Sequence, residues 1–274
     1  MSSSIDAEIP VVDSVIPYDF DVVREAFGEN GLPVVPYNID VPHFEEYMSS
    51  FDDIYSKTNY AASGEAVLYE KCLEHYLSLQ FCEKLDENAV LLDVANAGSC
   101  FPTVIQRMSP CNIIANDLVF RKGVFFHAGK VWRFGGSAGD LPFAEKSVDL
   151  ITVHCALEMF QGNHDMEFFS EAQRVLKPGG VLVIIPLYMH EHHIVYRDSN
   201  CTGDDLPEVP ANATLVHRKN FYNVSFARVY NVRQFVDRLV SPFNNLDTTI
   251  YEIANGSAVH PSIYARWIGV FKKK

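Results

Sequence analysis

The sequence has no apolar run long enough to cross a membrane. Its longest, Val181-Leu182-Val183-Ile184-Ile185-Pro186-Leu187, falls far short of the roughly 18 residues that suggest a spanning helix. It has no basic leader followed by an apolar core at its start, where Met1-Ser2-Ser3-Ser4-Ile5-Asp6-Ala7-Glu8 stands instead, so no signal peptide is expected. It has no Cys-x-x-Cys pair. Cys72, Cys82, Cys100, Cys111, Cys155 and Cys201 are scattered, which suits free thiols in a reducing, cytoplasmic setting better than a disulfide framework. Positive charge is scarce. Twenty-two Lys and Arg against 35 Asp and Glu give a formal charge of -13, a poor surface for a nucleic-acid backbone. Neither nucleic acid nor membrane is therefore expected as a partner. What is present is ordinary for a globular chain: 274 residues, 48% apolar and 21% charged, enough for one large domain or two small ones.

Along the chain, residues 1 to about 40 mix Pro, Val and acidic residues without period and read as an extended arm or lid edge. Phe44, Tyr47, Met48, Phe51 and Tyr55 recur at helical spacing. A second helix is expected from about Gly64 to Leu85, with Leu68, Cys72, Tyr76 and Leu79 on one face. The centre changes character. Ala89 to Ala95, Asn112 to Asn116, Val148 to Val153 and Val181 to Leu187 are short apolar runs without helical period, as strands buried on both faces are. Lys130 to Phe134 reads as a further strand. Helical patterns lie between them, the clearest over Glu167 to Leu176, stopped by Lys177-Pro178-Gly179-Gly180. Strands alternating with helices imply an α/β fold with a mostly parallel sheet and helices on both faces. Near the end, Asn231 can cap a helix carrying Val232, Phe235, Val236, Leu239 and Val240. Asp247 to Ala254 and Ile263 to Phe271 look like two closing strands. Residues 188 to 230 are polar and weakly periodic, and so long a segment is usually functional. The organisation expected is thus an arm and helical cover (1–85), a core (86–187), a substrate-side insertion and helix (188–246) and a terminal hairpin (247–274).

In such a sheet, ligands sit beyond the carboxyl ends of the strands. After the first strand comes Asp93-Val94-Ala95-Asn96-Ala97-Gly98-Ser99-Cys100-Phe101, small residues that let backbone approach a ligand. An ordinary strand-to-helix turn reads the same way. After the second comes Asn116-Asp117-Leu118; Asp117 is placed to accept from ribose hydroxyls or to cap a following helix. After the third comes Gly135-Gly136-Ser137-Ala138-Gly139-Asp140-Leu141, where an adenine ring could lie flat. After the fourth come His154 and Cys155. His190, His192 and His193 follow the next strand and, with His154, are candidate bases because imidazole titrates near neutrality. Glu191 and these histidines are ligand types for a metal, but no spaced third cluster accompanies them, and no metal is expected. Ala95, Ala97 and Cys100 break the G-x-G-x-x-G pattern that a dinucleotide pyrophosphate demands, which weakens a nicotinamide oxidoreductase reading.

Residues 89 to 187 resemble the core of a class I S-adenosylmethionine-dependent methyltransferase. The resemblance rests on Asp140-Leu141-Pro142-Phe143, Ser147-Val148-Asp149-Leu150-Ile151, Ala156-Leu157-Glu158 and Arg174-Val175-Leu176-Lys177-Pro178-Gly179-Gly180 at the family's separation. It implies a Rossmann-like sheet closed by an antiparallel hairpin, with S-adenosylmethionine as cofactor. Asp93, Ala95, Asn96, Ala97 and Ser99 would hold its methionine end. Asn116, Asp117 and Leu118 would face the ribose side, Ser137, Ala138 and Leu141 the adenine, and His154 and Cys155 the sulfonium. Tyr60 would lie in a segment that closes over the cofactor. The sequence departs from the family where Ala95, Ala97 and Ser99 replace glycines and Ser137 replaces an acid. The expected activity is methyl transfer to an oxygen or nitrogen of a small molecule, with His154 and His190 as catalytic residues. A module that binds S-adenosylmethionine or S-adenosylhomocysteine without catalysis is the alternative.

Overall fold

The computed structural model describes residues 9–82, 85–127, 131–203, 206–221 and 223–274. Met1 to Glu8 and Lys130, on which two of the sequence expectations fall, lie outside them. A two-residue strand, β1 (Val11–Val12), is followed by helix α1 (Phe20–Glu29), strand β2 (Val34–Tyr37) and helices α2 (Val41–Ser50), α3 (Asp52–Tyr55), α4 (Asn59–Ala62) and α5 (Glu65–Ser78). The core then runs β3 (Val90–Val94), α6 (Phe101–Met108), β4 (Asn112–His127), β5 (Val131–Gly135), β6 (Val148–His154), α7 (His164–Val175) and β7 (Leu176–Ile185). The remainder comprises β8 (Ile194–Asp198), β9 (Thr214–Arg218), β10 (Ala227–Val229), α8 (Val232–Phe235), β11 (Leu246–Ile253), α9 (Gly256–Val259) and β12 (Trp267–Lys273).

The main sheet has the order β2-β11-β12-β7-β6-β3-β4-β5. From β3 the chain moves outward through β4 to β5, then returns to β6 on the other side and continues to β7. The order therefore reverses between β3 and β6, where ligands bind in open parallel sheets. β12 runs antiparallel to both β7 and β11, which is the closing hairpin expected from the sequence. The apolar runs form the central strands because both faces are covered: Leu91, Leu92, Leu150, Ile151, Leu182 and Val183 are fully buried. On one face pack Val23 and Phe27 of α1, Phe168, Phe169 and Ala172 of α7, and Phe235 of α8. On the other pack Phe44, Tyr47, Phe51 and Tyr55, the predicted stripe, with Cys72, Leu73 and Tyr76 of α5 and Val104 of α6. Asn231 caps α8 as predicted, its side chain accepting from Gln234 N at 2.8 Å.

Three regions differ from the sequence expectation. Residues 1–40 are not simply an extended arm. Asp19 caps α1 through Asp21 N, and β2 adds to the main sheet parallel to β11. The acidic residues interspersed in α1 face solvent and dilute its period, while Val23 and Phe27 face the core. Residues 188–230 are not irregular but hold most of a second sheet, order β1-β9-β8-β10, around Ile194, Tyr196, Val216 and Ala227. Its strands are too short to show a period among the polar residues between them. Third, Asp117 caps no helix: the described residues after it continue β4, whose Ile113 to Asp117 pair in parallel with Val131 to Gly135.

Asp165 at the start of α7 ties these parts together. Fully buried, it accepts from Arg228 Nη1 (2.5 Å) and Tyr230 Oη (2.6 Å) at the second sheet and from Arg238 Nη2 (2.6 Å) after α8.

Candidate functional site

The site starts at the carboxyl end of β3. Ala95, Ala97 and Gly98 adopt φ of 55°, 48° and 80°, the left-handed region that costs a non-glycine residue roughly 1–2 kcal/mol. Two alanines therefore hold backbone that glycine would adopt freely. The turn is pinned from β4 and from within. Asn96 N donates to Asn116 O (3.0 Å), Ala97 N to Asp117 Oδ2 (2.7 Å), and Asn96 Nδ2 to Asp93 Oδ2 (2.6 Å). Strain held by surrounding bonds is relieved by glycine, less the extra freedom glycine gives the unfolded chain. Ala95→Gly and Ala97→Gly should each therefore stabilise the fold by about 0.5–1 kcal/mol. A lower melting temperature in either variant would contradict the strain.

The neighbouring strand ends carry the other predicted residues. Asp117 also accepts from Val119 N (2.9 Å) through its second oxygen. Asn116 is buried and spans to the next strand, donating to Phe134 O (3.2 Å) and Gly136 O (2.9 Å). Leu118 points outward and is 77% exposed, so it stands apart from the others. Ser137 Oγ accepts from Gly139 N (3.1 Å), and Ala138 and Leu141 are buried. Glu171 and Arg174 of α7 fix this loop: Leu141 N donates to Glu171 Oε2 (2.7 Å) and Arg174 Nη2 to Leu141 O (2.8 Å).

A cavity of about 180 Å³ opens at the β3 and β6 ends. Tyr60, Lys71 and His75 line one side; residues 93–97 and Ser99, with His154 and Cys155, line the other. His190 does not line it. That residue packs against Tyr18, ring centroids 5.3 Å apart, and its Nδ1 accepts from His192 N at 2.9 Å. Within the cavity wall, Asp93 Oδ1 accepts from Thr152 Oγ1 (2.9 Å) and lies 3.2 Å from His154 Nδ1. A carboxylate only accepts, so that ring nitrogen carries the proton. His154 Nε2 meets Ser78 Oγ at 3.1 Å. His75 bridges Tyr55 Oη (2.9 Å, at Nδ1) and Ser99 Oγ (3.3 Å, at Nε2), and burial pushes its pKa well down. His75 therefore stays neutral.

Lys71, Glu74, His75 and Ser78 were missed as a group. They recur at the i, i+3, i+4, i+7 spacing of one helical face, and Glu74, His75 and Ser78 are all buried. Lys71 Nζ donates to both Glu74 oxygens at 2.9 Å. Burial alone would lower the lysine pKa, but the charges and hydrogen bonds of Glu74 and Cys155 together outweigh it and keep Lys71 protonated. Cys155, itself at φ 48°, places Sγ 3.3 Å from Tyr188 Oη. Burial raises its thiol to about 12, too high for a thiolate nucleophile near neutrality. Among the described residues, no group of three His, Cys, Asp or Glu is arranged to hold a metal ion.

Residues 98–184 match the family described as "Methyltransferase domain". That stretch of the chain is similar to a methyltransferase domain. The matched stretch, about a third of the chain, runs from the β3 turn to the end of β7. Among solved structures, the chain is similar to geranyl diphosphate C-methyltransferase from Streptomyces coelicolor A3(2). The identity is 11%, with 95% of this chain and 99% of that chain covered and a TM-score of 0.47. It is also similar to a phosphoethanolamine N-methyltransferase 2 from Haemonchus contortus, with 10% identity, 84% and 60% coverage and a TM-score of 0.49. No curated protein matches the chain in sequence.

Proposed function

We propose that the chain is an S-adenosylmethionine-dependent methyltransferase that transfers a methyl group to an oxygen or nitrogen of a small molecule entering beside the α5 polar face. The carrying observation is the cavity at the strand ends, walled by Tyr60, Lys71, His75, His154 and Cys155. Its size suits the reacting end of a small acceptor rather than a macromolecular surface. The chain's acidity argues in the same direction.

The side chains present fit the cofactor. Three donors use Asp93, leaving about one lone-pair site of a carboxylate's four; that site would take the methionine ammonium. Ala95, Asn96, Ala97 and Ser99 would cradle the same end with backbone and hydroxyl. Asp117, fixed by two backbone N–H groups, would accept from the ribose. Asn116 would keep the strand ends in register, and Ser137, Ala138 and Leu141 would flank adenine. Tyr60 would close over the sulfonium, whose positive charge its ring face favours. Bound there, S-adenosylmethionine supplies a methyl group activated by positive sulfur. The protein contributes alignment and exclusion of water, effects worth about 7–11 kcal/mol in favourable cases. Residues 1–85 and 188–246 would form the cover under which the acceptor is held.

Of the two histidines expected to act, His154 has the position. Its tie to Asp93 holds its ring beside the cavity. The second imidazole, His190, is outside that lining, so no part in the reaction is proposed for it. His154→Gln should lower turnover about 10- to 100-fold, below the range of a general base, with S-adenosylhomocysteine affinity held within about threefold. Full turnover in the variant would remove His154 from the reaction.

The deciding experiment joins calorimetry with S-adenosylhomocysteine to an assay of donor consumption against fractionated small-molecule extracts. Binding with turnover supports the proposal. Binding with no turnover on any fraction would instead favour a binding module.

A further inference from the structure

A buried chain of two hydroxyls and an imidazole runs from the helical cover to the cavity. Tyr47 Oη lies 2.7 Å from Tyr55 Oη, and Tyr55 Oη lies 2.9 Å from His75 Nδ1. On its other side, His75 Nε2 lies 3.3 Å from Ser99 Oγ. Tyr47, Tyr55 and His75 are 6%, 2% and 1% exposed. His75 and Ser99 line the cavity, and the two tyrosines stand behind them.

The direction of this chain follows from counting its protons. Burial holds His75 neutral, so its ring carries one N–H and one acceptor. Among the described residues, Tyr47 Oη has one hydrogen-bond partner, Tyr55 Oη. Were His75 Nδ1 the donor, the two tyrosine protons would share one contact between two oxygens, and one of them would be buried without an acceptor. A buried donor left unmade is costly. In the opposite sense every proton is used: Tyr47 donates to Tyr55, Tyr55 to His75 Nδ1, and His75 Nε2–H to Ser99 Oγ. Ser99 Oγ also accepts from Phe101 N at 3.2 Å. Both of its lone pairs are then taken, and its own proton turns toward the cavity. There Tyr60 shares a side-chain hydrogen bond with it, but a carboxylate is the stronger acceptor.

We propose that Tyr55 and His75 are positioning residues that aim the Ser99 hydroxyl, as a donor, at the carboxylate of the methionine end of S-adenosylmethionine. This rests on the S-adenosylmethionine reading and gives the two charges of that end separate partners, the ammonium to Asp93 and the carboxylate to Ser99. Lys71 lines the same cavity and, although paired with Glu74, stays protonated. A cation therefore also borders the space the anion enters. The other tautomer of His75 would draw the Ser99 proton inward to Nε2 and leave a lone pair facing the carboxylate, which repels it.

The test is calorimetry on the full chain with S-adenosylhomocysteine and with decarboxylated S-adenosylhomocysteine, the same nucleoside thioether without its carboxylate. Wild type should bind the first about tenfold or more tightly than the second, as a charge-assisted hydrogen bond predicts. Ser99→Ala should weaken S-adenosylhomocysteine about tenfold and leave the decarboxylated ligand unchanged. Tyr55→Phe should weaken it about fivefold, again sparing the decarboxylated ligand, and should add nothing to Ser99→Ala in the double variant. Tyr47→Phe leaves the Tyr55 proton no acceptor but Nδ1, so it should keep the wild-type ratio. A wild-type ratio near one, no loss in Tyr55→Phe, equal loss of both ligands there, or as large a fall of the ratio in Tyr47→Phe overturns the proposal. Nitrogen NMR of the isotope-labelled wild type, which needs no variant to fold, should find the His75 proton on Nε2; a proton on Nδ1 overturns the proposal equally. Failure of the wild type to bind either ligand is a separate result, and it counts against the S-adenosylmethionine reading itself.

Discussion

Asp165→Ala should destabilise the fold by about 3–5 kcal/mol, the usual cost of breaking a buried ion pair from one side. The loss is large because Arg228 is only 1% exposed and would keep its charge without a partner. Tyr230 and Arg238 would lose the same acceptor. Three elements, α7, β10 and the segment after α8, converge on that one carboxylate. Burial opposes its ionisation, but the hydrogen bond from Arg238, the Arg228 charge and the Tyr230 hydroxyl outweigh burial and hold its pKa below the usual range. A lowered folded value means the contribution is complete above the unfolded value of about 3.9. It vanishes as pH falls through the folded one. Chemical denaturation from pH 7 downward should therefore show wild type losing stability at acid pH more steeply than Asp165→Asn. Parallel curves, or a variant with wild-type stability at pH 7, would show that the network is unimportant.

Asp117→Ala should weaken S-adenosylhomocysteine binding about 100-fold, near 2.7 kcal/mol. Two effects combine. The proposed ribose acceptor goes, and Ala97 N loses the oxygen that holds the strained turn at 2.7 Å. A lost hydrogen-bonding partner typically costs about 1–3 kcal/mol where the remaining group is buried. Asp117→Asn keeps one acceptor oxygen, so its loss should be nearer tenfold. Calorimetry on both variants checks the ranking. If the alanine variant binds as wild type does, the ribose end lies elsewhere.

The core was legible because its signals were simple. β3, β6 and β7 are apolar runs of strand length, and Asn231 is a cap before a periodic segment. Asp93 and Asp117 were found because the apolar runs of β3 and early β4 give way to polar residues there, where parallel sheets gather ligands. The α5 polar face was not found, since the apolar period of Leu68, Cys72, Tyr76 and Leu79 drew attention to the wrong side of the helix. Its own spacing was equally regular. Nor did the sequence reveal that Ala95 and Ala97 would adopt glycine backbone: residue type alone does not show that hydrogen bonds from β4 hold a strained turn. The site's histidines divide for a related reason. His154 ends a strand of the main sheet, while His190 lies beyond β7, where the path toward the second sheet carries no sequence signature.

Strand β2 has a consequence for biosynthesis. Val34 to Tyr37 pair with Ile250 to Ile253, and Asn255 bonds in both directions with the Ile39 backbone, 216 positions away. A ribosome releases the early segment long before its neighbour exists. The outermost edge of the sheet must therefore wait, unpaired, until residues 246–253 have been made. Loss of residues 246–253 would leave that early segment without its mate, a template for pairing between chains.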